Sequence, residues 1–92
     1  MNMECNFPII SDWCFSSDKR GYFLMGKVSG NPLFHEGEMI RTSYIKKIGS
    51  FGANGRVVVT QNNSYLIFKD EVNYKYHKNY PNYWRNIYNG TY

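Results

Sequence analysis

Two histidines, His35 and His77, and two cysteines, Cys5 and Cys14, are the chain's strongest candidates for chemistry. Glu36 follows His35, and a histidine oriented by a carboxylate is the pairing used in general base catalysis. Neighbours in an extended chain point to opposite faces, and no Ser or Cys is spaced to serve as the nucleophile. The carboxylates Glu4, Asp12, Asp18, Glu36, Glu38, Asp70 and Glu71 form no acidic triplet and no metal-type array. Cys5 and Cys14 lack a second ligand pair, so they read as two reduced thiols. Gly49, Gly52 and Gly55 recur every third residue, which is not the spacing of a phosphate cradle. The sequence therefore predicts no catalytic residue, no metal and no cofactor: a protein that is not an enzyme.

Binding chemistry has more to work with. Tyr74, Lys75, Tyr76, His77, Lys78 and Tyr80 interleave aromatic and basic side chains. Nucleic-acid bases stack on Tyr while Lys meets phosphate. The same residues suit a protein interface, where an apolar ring with a polar tip is favoured, or packing against the body of the domain. Arg41, Lys46, Lys47 and Arg56 would form a basic patch if the central strands pair, the alternative being an ordinary solvated strand face.

These side chains must be positioned by a single domain, because 92 residues leave no room for a two-domain enzyme with a cleft between its halves. The hydrophobic fraction is 42% and the aromatic fraction 18%, enough for an ordered globular chain with a thin core. The net charge of +4 permits a nucleic acid or an acidic protein as partner and demands neither. No stretch approaches the ~18 apolar residues of a membrane span, and the first residues lack a leader's basic start and apolar run. A soluble, cytoplasmic protein is expected, with no membrane partner.

Residues 1–20 show no clear period and read as an irregular N-terminal segment, with an edge strand at most around Phe7–Ile10. Residues 16–21 read as a turn or loop. Residues 22–29 alternate as a strand, with Tyr22, Leu24, Gly26 and Val28 on one face. Gly30, Pro32 and Gly37 punctuate a loop, and two short runs, 39–42 and 44–48, read as two strands or one bent strand. Asn54-Gly55 signals a hairpin into the β-branched strand 56–60, and Asn62-Asn63 a second turn into 65–68. Tyr80, Tyr83, Trp84, Ile87 and Tyr88 are spaced as one helix face, so a helix is expected over about 81–89, within the terminal segment 80–89. The fold class is mainly β: a small antiparallel meander over 21–68, or an SH3-like, partly open barrel, with a short C-terminal helix.

The run Val28-Ser29-Gly30-Asn31-Pro32-Leu33-Phe34-His35-Glu36-Gly37-Glu38-Met39-Ile40-Arg41-Thr42-Ser43 resembles a group of small bacteriophage and mobile-element proteins. Their pattern is approximately V-x-G-H-P-x-F-x-D-G-x-x-I-x-T-S, followed by a hairpin and a tail that Tyr80-Pro81-Asn82-Tyr83 matches. Here Asn31 replaces the His and Glu36 the Asp of that pattern, and the likeness spans about residues 26–88. The resemblance implies an accessory protein of phage, prophage or plasmid origin. It is expected to bind a host macromolecule, foremost a protein of a defence or nucleic-acid-processing system, which it would inhibit. A small-barrel DNA- or RNA-binding protein is the alternative, and a homodimer a third reading. The contact surface is assigned to Tyr74, Tyr76, Lys78, Trp84 and Arg85, with Arg41 and Lys47 adjoining. The motif itself also has a plain structural account: tight turns at Gly30 and Gly37, Phe34 dropping into the core, and Thr42 and Ser43 bonding the backbone where the strand bends.

Overall fold

The computed structural model describes residues 7–75. Five strands follow one another as β1 (Ile9–Asp18), β2 (Gly21–Ser29), β3 (Glu38–Phe51), β4 (Gly55–Thr60) and β5 (Ser64–Phe68). Consecutive strands pair antiparallel, and β1 meets β5 in parallel at Ile9 and Leu66, which closes the meander into a barrel. Pro8 extends the seam, its carbonyl accepting from the Leu66 N–H at 2.9 Å. The barrel is thus closed rather than partly open. A 3-10 turn at Lys69–Glu71 follows β5, and Trp13 then bridges to Val72. The helix expected over 81–89 lies outside the described residues.

The core is Ile10, Trp13, Phe15, Leu24, Val28, Ile40, Val58, Tyr65, Ile67 and Val72, with Phe34, Ile45 and Ile48 packed against it. Of the β2 face read as Tyr22, Leu24, Gly26 and Val28, the last three are buried and Tyr22 is exposed. Phe34 reaches the core from the loop, as its place in the motif suggests.

The first twenty residues need correction. From residue 7, where the description begins, they are not irregular: β1 takes ten of them and supplies Ile10, Trp13 and Phe15 to the core. Its period is hidden by a bulge between Ser11 and Cys14, where Asp12 and Trp13 stand opposite Gly26. Asp12 adopts φ 51°, a conformation Asp tolerates better than most residues. The extra residue turns both Ile10 and Trp13 inward. The bulge presses on Gly26, where a Cβ would lie 2.4 Å from Ile10 Cγ2 and 2.7 Å from the Ser11 carbonyl oxygen. The turn is also shorter than composition suggests, since strand pairing continues to Asp18 and Gly21 and leaves only Lys19 and Arg20 between.

The two runs read along 39–48 are one bent strand, β3. Its first half pairs with β2 and its second with β4. Two register shifts bend it, one at Thr42-Ser43 and one at Lys46. Bulges add twist, and twist is what lets five strands close. The β3–β4 hairpin forms where Asn54-Gly55 signals it, but Gly52 carries the positive φ, at 70°, and Gly55 already belongs to β4.

Candidate functional site

Two acidic side chains help to hold the β2–β3 loop. The Gly30 N–H donates to Glu36 Oε1 at 2.7 Å, and the His35 N–H to Glu38 Oε1 at 3.0 Å. Glu36 is thereby engaged with backbone rather than with the imidazole of His35, and the exposed His35 gains no orienting carboxylate from it. Among the described residues no group of three or more His, Cys, Asp or Glu gathers. Burial, then the nearby Asp12 charge, push the Cys14 thiol upward, away from the reactive thiolate. Among the described residues no helix is long and apolar enough to cross a membrane.

Asn31 lies inside this loop and is almost wholly buried, at 6% exposure. Its Oδ1 accepts the Leu33 N–H at 3.0 Å, and its carbonyl accepts the Phe34 N–H at 3.0 Å. Because Oδ1 takes a backbone N–H, the amide's orientation is fixed: Nδ2 is the remaining end, and it is a donor. Nδ2 is buried, without a hydrogen-bond partner among the described residues.

Next to the loop, the Thr42-Ser43 bulge arranges a second polar set. Thr42 Oγ1 accepts the Leu24 N–H at 3.0 Å, replacing the acceptor that the bulge removes from the ladder. Ser43 Oγ donates to Thr60 Oγ1 at 2.8 Å and accepts the Asn62 N–H at 3.1 Å. Asn63 Oδ1 accepts the Ser64 N–H at 2.8 Å, so its amide also keeps the NH2 end. The loop and this turn together border a cavity of about 200 Å³. Asn31, Leu33 and Phe34 line it from the loop, Arg41 and Ser43 from β3, and Asn62, Asn63 and Tyr65 from the β4–β5 corner.

Arg41 borders the cavity, and its guanidinium is held by residues that do not line it. Nη2 meets Asp18 Oδ2 at 2.9 Å and the Tyr44 hydroxyl at 3.3 Å, while the guanidinium lies 3.7 Å above the Phe23 ring. The Tyr44 hydroxyl donates to the same Asp18 oxygen at 2.7 Å, and the Arg20 N–H caps the other at 2.8 Å. The Tyr44 hydroxyl foremost, then the Arg20 N–H and Arg41, hold the Asp18 carboxyl down at about 2. Asp18 in turn pushes the Tyr44 hydroxyl upward. Residues three apart on a strand normally face opposite ways. The bulge between them puts Arg41 and Tyr44 on one side, above Phe23. Phe23 lies outside the core cluster yet is only 6% exposed, covered by a cation and by the edge of Tyr44.

Of the contact residues that the sequence nominates, Arg41 alone among the described ones borders this cavity. Lys47 is exposed on the half of β3 that pairs with β4, opposite Val59, and does not line it. Tyr74 is exposed. Tyr76, Lys78, Trp84 and Arg85 lie outside the described residues. The basic patch of Arg41, Lys46, Lys47 and Arg56 is not assembled: Arg56 is buried at 8% exposure and donates to the Gly55 carbonyl at 2.8 Å, and Arg41 is bound to Asp18. Asn31, Asn62 and Asn63 were legible only as turn formers, and Asp18 and Tyr44 carried no signal as partners of Arg41. Comparison with family models, curated proteins and solved structures returns no match to this chain.

Proposed function

We propose that this chain is a non-enzymatic docking module of the phage or mobile-element kind, built on an SH3-like small barrel, whose partner is a host protein. The observation that carries this reading is the preset Arg41. A guanidinium stacked on an aromatic ring and braced by a carboxylate and a phenol has already lost most of its rotamer freedom, so binding costs it little further ordering. Arginine and aromatic side chains dominate the energetics of protein interfaces. Exposed Leu33 borders the same cavity and exposed Met39 sits two residues from Arg41 on β3, so apolar contact area lies near the cation. A nucleic acid is less well served. Asp18 stands against Arg41 and offsets its charge, whereas a phosphate chain needs several uncompensated cations in a row. The partner we favour belongs to a defence or nucleic-acid-processing system that the module inhibits, in the cytoplasm of the host.

The test is capture from host lysate by the wild-type chain and by Arg41→Glu, each with and without nuclease. A stoichiometric protein that survives nuclease and is lost with Arg41→Glu supports the reading. Capture that vanishes with nuclease, and whose affinity falls steeply with salt, transfers the function to nucleic-acid binding. Equal capture by both chains removes Arg41 from the contact surface.

A further inference from the structure

We infer that the cavity between the β2–β3 loop and the β4–β5 corner is a subsite for one carboxylate, the side chain of an acidic residue with an apolar neighbour on the partner protein. This deepens the docking reading and rests on it. Two of the residues lining the cavity keep a donor as the uncommitted end of the side chain. Asn31 Oδ1 and Asn63 Oδ1 both accept backbone N–H groups, which leaves an NH2 as the open end of each amide. Arg41 borders the cavity, while its guanidinium lies against Asp18, Tyr44 and Phe23, which do not line it. A carboxylate is acceptor-only and offers about four lone-pair sites, so it answers such a set without leaving a donor of its own unmatched.

Asn31 makes the inference specific. Its Nδ2 is buried and unpartnered among the described residues, a condition that costs a folded protein appreciable free energy and that native structures seldom tolerate without a reason. An acceptor placed against it recovers that cost on binding. The volume of about 200 Å³ suits one side chain rather than a drug-sized ligand. Leu33 borders the opening at 82% exposure, the apolar surface for the acidic residue's neighbour. Because Nδ2 has no contact with water, the loop from Asn31 to Glu36 must give slightly to admit the acceptor.

The experiment titrates the isotope-labelled full chain with acetyl-Leu-Glu-amide, acetyl-Leu-Gln-amide and a short oligothymidylate, following the side-chain NH2 signals of Asn31 and Asn63 by NMR. The Glu peptide is expected to shift both pairs saturably and to bind about tenfold more tightly than the Gln peptide. Asn31→Asp keeps the acceptor for the Leu33 N–H and turns the donor into a second carboxylate, so it should abolish binding. Should Asn31→Asp fail to fold, Asn63→Asp gives the same reading, with about tenfold weaker binding of the Glu peptide. Asn31 signals unmoved by the Glu peptide at millimolar concentration overturn the subsite. So does an oligothymidylate that shifts them more strongly than the peptide. Failure here is separable from failure of the docking reading. A host protein captured equally by wild type and a folded Asn31→Asp leaves the docking and removes the subsite. Saturable peptide binding that Asn31→Asp abolishes keeps the subsite even where no host protein is captured.

Discussion

Trp13 and Phe23 are both nearly inaccessible to water, but they are covered in opposite ways. Trp13 is enclosed by the core, edge-on to Phe15 at 5.5 Å, and its indole Nε1 donates to the Phe68 carbonyl at 2.7 Å. The Asn73 N–H returns to the Trp13 carbonyl at 2.8 Å, tying the end of the described chain to β1. Phe23 sits under Arg41 and Tyr44, which Asp18 holds in place. The first cover is apolar and permanent. The second is charged, open to solvent and sensitive to pH and salt. One region stabilises the barrel; the other presents chemistry on it. Substituting each in turn shows whether that division holds.

The largest effect is expected at Trp13. Trp13→Ala should cost about 3–5 kcal/mol, since it leaves a large cavity and orphans the Phe68 carbonyl. Against a total of about 5–15 kcal/mol for a domain, urea denaturation should find this variant close to unfolding. Gly26→Ala comes next, at about 3 kcal/mol, because the new Cβ collides with the Ser11 carbonyl oxygen, which is backbone and cannot step aside. A urea midpoint unchanged by this variant would show that the β1 bulge relaxes freely, and that Trp13 is not locked by it.

Thr42→Val tests the opposite region without touching charge. It preserves shape but strips the acceptor from the Leu24 N–H and the donor to the Ser43 carbonyl. A loss of about 1–2 kcal/mol is expected in urea denaturation. A larger consequence should appear at Phe23, because the bulge that sets Arg41 and Tyr44 on one side loses its anchor. Arg41→Gln in the Thr42→Val background should then change stability less than it does alone, and a double-mutant cycle measures that coupling.

This contrast also explains what the sequence disclosed. Strands β4 and β5 were legible because Arg56-Val57-Val58-Val59-Thr60 and Tyr65-Leu66-Ile67-Phe68 are rich in β-branched and aromatic residues and joined by a short Asn turn. Strand β1 was not. One residue added at Asp12 breaks the period of two that makes a strand readable, so Trp13 and Phe15 looked unpatterned. The same obstacle hid the candidate site. Arg41 stood out as a charge, but its partners Asp18, Phe23 and Tyr44 come together only through a bulge and the pairing of neighbouring strands. Asn31 had the composition of a turn residue, and nothing local marks an amide whose far end will be buried.

The smallest effect is the most diagnostic of the charged cover. The Asp18 carboxyl is held at about 2, against 3.8 for the group unperturbed. A carboxyl lowered on folding stabilises the native state above its unfolded value and loses that contribution as pH falls toward its folded value. Asp18→Asn should therefore be less stable than wild type at about pH 5, with the gap closing as pH drops from about 4 toward 2. Paired urea midpoints across that range measure the gap, and the subtraction removes the titration of the other carboxylates. The exposure of the pair keeps the gap modest, and added salt should shrink it further. A gap that stays constant down to about pH 2 would mean that Asp18 holds Tyr44 and Arg20 by hydrogen bonds that survive its protonation. Arg41 would then rest on Phe23 by stacking alone, and its guanidinium would be less fixed than a preset contact requires.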